Sequence, residues 1–154
     1  MKLPPFQALL DAHRADVYRF LVATAGSSEA DDAFQETWIA ALRAYPNLRS
    51  GQNLRAWLFR IAQNKSIDAH RARGRRAVPV AALPERPLSA VEEDPELWAR
   101  LRELPAKQRT AVFCRSVLGM PYEELATLLE SSEDAARRNV HEGLKRLREE
   151  LTHD

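Results

Sequence analysis

Residues 54–76 read LRAWLFRIAQNKSIDAHRARGRR. Seven Arg and Lys (55, 60, 65, 71, 73, 75 and 76) stand here against one acid, Asp68, in a chain whose formal net charge is only +1. A local excess of six positive charges calls for a polyanionic partner. Helical spacing sorts the stretch into two faces. Leu54, Trp57, Leu58, Ile61 and Ala62 form an apolar stripe, and Arg60, Gln63, Asn64, Ile67 and Arg71 share the opposite arc. From Arg60 to Arg71 is roughly 16 Å at helical rise, enough to follow several phosphates. Gln63 and Asn64 would offer amide donors and acceptors to nucleobases. Read alone, the stretch fits either a nucleic-acid-binding helix or a solvated basic helix on a bundle.

The rest of the chain sets the frame. At 154 residues and 45% hydrophobic content it can form one ordinary domain or two small ones. Five Gly, frequent Ala, Leu, Arg and Glu, and no strand pattern predict helices nearly throughout. The single Cys114 excludes an internal disulfide and a cysteine zinc site, and His13, His70, His141 and His153 are too scattered to be ligands, so neither a metal nor a cofactor is expected. Cysteine usage fits a reducing cytoplasm, and no segment reaches the ~18 apolar residues of a membrane span.

Four prolines (79, 84, 87 and 95) break the helical pattern between Val78 and Pro95, and Glu85, Glu92, Glu93, Asp94 and Glu96 make its end acidic. The predicted organisation is all-α: two small helical domains, 1–77 and 95–154, joined by a Pro-rich acidic linker, 78–94. In the first domain Phe6, Leu9, Leu10, His13, Val17, Phe20 and Leu21 predict an amphipathic helix, broken at Ala25-Gly26. Ser28 and Asp31 are placed as a capping-box-like start of the second, and Ala30, Ala33, Phe34, Thr37, Trp38, Ala41, Leu42 and Tyr45 as its apolar stripe, ended by Pro46. Its other face groups Asp32, Gln35, Glu36 and Ile39, two carboxylates and an amide around an exposed aliphatic. That patch would repel DNA; it suits a basic protein partner or simple solvation. The polar loop NLRSGQN (47–53) leads straight into the basic helix and could hold a flipped base or single strand.

The second domain runs Glu96–Leu104, Lys107–Leu118, then Tyr122–Leu129 behind Pro121, the short turn Glu130-Ser131-Ser132-Glu133, and a helix over 134–151. Two helices across so short a turn describe a helix-turn-helix. Ala136, Val140, Leu144, Leu147 and Leu151 form the buried stripe of the last helix, leaving Arg138, Asn139, His141, Glu142 and Lys145 for bases and phosphates, or for a plain charged outer face.

EADDAFQETWIAALRAYPNL (29–48) followed by residues 53–76 resembles region 2 of bacterial RNA polymerase sigma factors of the extracytoplasmic-function group, within the sigma-70 family. RELPAKQRTAVFCRSVLGMPYEELATLLESSEDAARRNVHEGLKRLREEL (102–151) resembles region 4 of the same group, in the right order. The resemblance implies a sigma factor without enzymatic chemistry, which binds core polymerase and directs promoter recognition, DNA melting and transcription initiation. Asp32, Gln35 and Glu36, with Ile39 beside them, match the surface that docks on the clamp helices of the polymerase largest subunit, while region 4 implies a contact with the flap region. The minus-10 contact maps to the loop Leu48, Arg49, Ser50, Gly51, Gln52 and Asn53 and to Arg60, Gln63, Asn64 and Ile67, with Arg71, Arg73, Arg75 and Arg76 on phosphates. Region 4 places Arg137, Arg138, Asn139, His141 and Lys145 at the minus-35 element. With no sensory domain implied, control would come from expression or from a partner such as an anti-sigma factor. The turn departs from the family pattern: Glu130-Ser131-Ser132 lacks the glycine many relatives carry, and Asp134–Ala136 replace Gly-Thr-Val.

Two rival classes remain. A nuclease would need paired metal-binding carboxylates or a nucleophile with a base, and Asp31, Asp32 and Glu36 have no His or Lys beside them. A stand-alone helix-turn-helix regulator or adaptor would have no use for the Asp32/Glu36 patch.

Overall fold

The computed structural model describes residues 3–49, 53–75 and 94–152. Helix α1 spans Phe6–Ala25, α2 Ser27–Ala44, α3 Leu54–Arg75, α4 Pro95–Arg102, α5 Ala106–Ser116, α6 Tyr122–Leu129 and α7 Glu133–Thr152, with one 3₁₀ turn at Tyr45–Asn47. Every described element is helical, as composition predicts. The 78–94 linker lies outside the described residues apart from Asp94, whose carboxylate accepts from the Leu97 amide and caps α4.

α1 turns into α2 at Gly26, whose φ of 97° is open to glycine alone. This corrects the expected capping box, because Ser28 and Asp31 fall inside α2, and Asp31 instead accepts from the Tyr18 hydroxyl at 2.9 Å. Small residues at Ala30, Ala33 and Ala41 seat α2 closely on its neighbours, and the buried Thr37 hydroxyl is satisfied by the Ala33 carbonyl at 2.7 Å. Leu42, expected on the buried stripe, is 56% exposed.

α3 is wrapped by α1, α2 and α6. Ala56, Phe59, Gln63 and Ser66 are therefore buried together with the expected Leu58 and Ala62. The Ser66 hydroxyl donates to Thr24 of α1 at 2.8 Å, so that polar pair is buried without cost to hydrogen bonding. In the second unit α5, α6 and α7 pack on one another, and Arg109, 4% exposed, closes the end of α4 by donating to the carbonyls of Arg102 and Leu104.

The two units share one core. Phe20 of α1 meets Phe59 of α3 at 5.5 Å and Phe113 of α5 at 5.6 Å between ring centres, both edge-on. Arg102 of α4 donates to the carbonyls of Val22, which also accepts from the Gly26 amide, and of Ala23 in the last turn of α1.

Candidate functional site: three interaction surfaces

The first surface is the outer stripe of α2. Asp32, Gln35 and Glu36 are all exposed, and Ile39 stands 49% exposed among them. Leu42 lies one turn beyond Ile39 and extends the aliphatic centre of the patch. A shallow groove of about 390 Å³ runs alongside, lined by Leu10, Arg14, Phe34, Gln35, Trp38 and Ile39. The four residues expected here are thus brought together; Leu42, Leu10 and Trp38 were read from sequence as core positions.

The second surface is the outer arc of α3 with the loop before it. Asn53, expected to touch DNA, caps α3: its side-chain oxygen accepts from the Ala56 amide at 3.1 Å. Leu48 is half-buried and Arg49 exposed, while Ser50, Gly51, Gln52 and Arg76 lie outside the described residues. Arg73 and Arg75 continue α3 in the backbone. Asn64 and Arg71 are exposed and Ile67 is half-buried. Two expected members of this face are placed otherwise. Gln63 is 9% exposed, its side-chain oxygen buried without a hydrogen-bond partner, and Arg60 donates to the Thr127 carbonyl of α6 at 3.3 Å with the Glu130 carboxylate 3.8 Å away. Arg60 is drawn away by α6, which lies against that edge of α3, and Gln63 falls within the arc that the packing of α1, α2 and α6 around α3 buries.

Arg55, counted in the basic cluster, also turns to α6. Its guanidinium grips Glu124 through two hydrogen bonds, Nε to Oε2 at 2.6 Å and Nη2 to Oε1 at 2.5 Å, with the carboxylate side chain 7% exposed. Hydrogen bonding to Glu124 raises the Arg55 pKa above its ordinary value. Glu124 was not singled out from sequence, although a carboxylate beside Leu125 and Leu128 on an apolar arc is a recognisable signal. Near the other end of α3, Ile67, His70 and Arg71 face Arg102, Arg109 and Arg146 across an open cleft of about 830 Å³.

The third surface is α7. Ser132 caps it by accepting from the Ala135 amide at 3.1 Å, and Ala136, Val140 and Leu147 are buried. Arg137, Arg138, His141 and Lys145 consequently stand exposed, with Asn139 half-buried at the edge. Arg137 and Arg115 both stack on Tyr122, at 4.7 and 4.2 Å from the ring centre, so the ring holds two guanidiniums near the turn. Glu130 takes the left-handed conformation (φ 53°, ψ 48°) that glycine adopts at least cost, in the turn that lacks a glycine. Among the described residues no group of His, Cys, Asp and Glu could hold a metal ion.

The family models for sigma-70 region 2 and sigma-70 region 4 match residues 9–76 and 95–147. The chain is 38% identical to the extracytoplasmic-function sigma factor SigD of Mycobacterium tuberculosis, over 93% of this chain and 75% of that one. The chain belongs to the extracytoplasmic-function sigma factors. SigX of Bacillus subtilis is 26% identical over 95% of this chain and 83% of its own. Among solved structures, CnrH in complex with the cytosolic domain of CnrY superposes with a TM-score of 0.74 at 26% identity, covering 97% of this chain and 88% of that one. The fold is also shared with the sigma factor RpoE of Bartonella quintana, solved with the anti-sigma factor NepR (TM-score 0.73, 24% identity, 99% of each chain). This sigma factor therefore works in transcription initiation, through core RNA polymerase and promoter DNA. Its relatives are sigma factors, which are not enzymes. No helix among its described residues is long and apolar enough to cross a membrane.

Proposed function

We propose that this sigma factor docks its α2 stripe on the clamp helices of the polymerase largest subunit and region 4 on the flap, reads the minus-35 element with α7, and captures the minus-10 element with α3 and the loop before it. One observation carries the polymerase assignment: Asp32, Gln35 and Glu36 surround Ile39 and Leu42, two aliphatics left half in solvent. A basic, partly apolar helix pair complements that stripe, and duplex DNA does not. On α3 the residues supporting strand capture are Asn64, Ile67 and Arg71, with Arg73, Arg75, Arg76 and the loop 48–52 adding phosphate contacts, while Arg60 is engaged by α6 and Gln63 is buried. On α7 they are Arg137, Arg138, Asn139, His141 and Lys145. The domain boundaries 1–77, 78–94 and 95–154 and a cytoplasmic location follow from the same reading. An anti-sigma partner belongs to the same reading, and the structural neighbour CnrH was itself solved in complex with another protein, the cytosolic domain of CnrY.

Run-off transcription with core polymerase tests the reading, with Glu36→Lys as the discriminating variant. The wild type is expected to initiate at a cognate promoter, and Glu36→Lys to lose core binding while keeping helicity and melting temperature. Duplex binding without any transcription would establish the stand-alone regulator instead. Co-purification of Glu36→Lys with core at wild-type yield would overturn the α2 assignment.

A further inference from the structure

Four helices meet at a cleft that carries far more positive than negative charge. The open space of about 830 Å³ near the end of α3 is lined by Arg71 of α3, Arg102 of α4, Arg109 of α5 and Arg146 of α7, against a single carboxylate, Glu103. Arg71 and Arg146 are exposed and Arg102 is half-buried. No promoter or polymerase contact proposed for this chain uses Arg102, Arg109 or Arg146.

Arg109 is the informative member, because it is 4% exposed and incompletely satisfied. Its Nη1 donates to the carbonyls of Arg102 and Leu104, whereas its Nε is buried without a hydrogen-bond partner. A guanidinium out of water ordinarily meets an anion, since an uncompensated buried charge is costly. Burial first, and the neighbouring Arg102 cation second, push the Arg109 pKa below its ordinary value, so the charge is held there at a cost. The same wall holds the start of α5. Pro105 and Ala106 line the cleft, no side chain caps the helix and its first turn carries no acid, so the positive end of the helix dipole is also unanswered. A buried side chain and a helix terminus thus converge on one requirement, negative charge.

We propose that this cleft is a binding site for a phosphate-chain anion, either free triphosphate or the triphosphate of a nucleotide, held by Arg71, Arg102 and Arg146 over the Arg109 end of α5. Planar guanidiniums take phosphate oxygens two at a time, and the amides of a helix start suit the same group. The space falls in the range of about 300–1,000 Å³ that encloses a small-molecule ligand, and exceeds what one ion needs. No Phe, Tyr or Trp lines it, so a base finds no stacking platform and the phosphates set the affinity. A ligand bound there touches the folded arrangement of four helices, and its binding therefore adds to the stability of the fold.

Isothermal titration of the full chain without polymerase, at about 150 mM salt to suppress diffuse attraction, tests the site with inorganic triphosphate, ATP, GTP and inorganic phosphate. The variants are Arg146→Glu and, as an equal reversal of charge at an exposed α2 position outside the cleft, Arg43→Glu; circular dichroism checks that both stay helical. Wild type is expected to bind triphosphate, ATP and GTP with similar affinity and phosphate far more weakly, and to melt at a higher temperature with triphosphate present. Arg146→Glu should lose about tenfold in triphosphate affinity together with the thermal shift, and Arg43→Glu should stay within about twofold of wild type. Equal weakening by the two reversals would reduce the effect to overall charge and overturn the site. Absence of triphosphate binding would overturn it as well, and an oligonucleotide that binds instead, with the loss confined to Arg146→Glu, would give the cleft to nucleic acid. Run-off transcription tests the polymerase and promoter surfaces separately, so failure there leaves these titrations unaffected.

Discussion

Gly143 of α7 lies where a Cβ would come within 2.5 Å of Cγ2 of Val112 on α5. The two helices touch backbone to side chain at this point, with Gln108 on the other flank at 3.4 Å. In an open helix Gly→Ala gains up to about 1 kcal/mol of propensity. Here Val112 is buried and, being β-branched, stiff at χ1, so overpacking of about 1–3 kcal/mol should outweigh that gain. Gly143→Ala is expected to lower the urea midpoint; an unchanged or higher midpoint would show that α7 slides without resistance.

Phe113 is 1% exposed and touches both Phe20 and Trp98. Its truncation to Ala should cost about 3–5 kcal/mol, the usual range for an aromatic deleted from a core. A double-mutant cycle with Phe20 is expected to return a coupling of about 0.5–1.5 kcal/mol for the edge-on pair. Additive losses would mean that the two units unfold independently.

His13 is half-buried on α1, and its pKa is lowered first by desolvation and then by the nearby Arg55 cation, with Asp16 and Glu124 opposing. The unfolded chain titrates near the ordinary histidine value and binds the proton more readily than the fold does. The resulting stability is complete above that value and is lost as pH falls through the lower folded pKa. Chemical denaturation from pH 8 to 5 should therefore show acid destabilisation that His13→Gln reduces; identical pH profiles for the two proteins would remove His13 as the cause.

Arg138 is exposed on α7 between the turn and His141. Arg138→Ala is expected to weaken a cognate minus-35 duplex by about 1–3 kcal/mol if the side chain reaches a base edge, and all duplexes alike if it holds a phosphate. Titrations at several salt concentrations separate the two, because loss of a phosphate contact lowers the salt slope by about one. Wild-type affinity on every duplex would take Arg138 off the interface.

The helices that bury one face were legible from spacing. Val17, Phe20 and Leu21 on α1, and Ala136, Val140 and Leu147 on α7, are buried where periodicity puts them, and the exposed stripe Asp32, Gln35, Glu36 and Ile39 emerges from the same arithmetic. α3 defeated the method because three helices surround it, so its buried arc includes Ala56, Phe59, Gln63 and Ser66, which no apolar stripe announces. Asn53 and Asp94 sit at helix starts, where the same side-chain chemistry that binds a ligand also caps a backbone. The Arg55–Glu124 pair joins residues too far apart in sequence for local periodicity to connect.

Glu130 adds a last consequence. An L residue held at φ 53° carries roughly 1–2 kcal/mol of steric cost that glycine would not, yet its carboxylate is the one that stands beside Arg60. Glu130→Gly should therefore make the helix-turn-helix more resistant to heat while weakening its hold on region 2. Robustness of the turn and its contact with region 2 are separable traits in this chain, and a screen for thermostability alone would drift toward molecules whose helix-turn-helix is sturdier and less firmly held against α3.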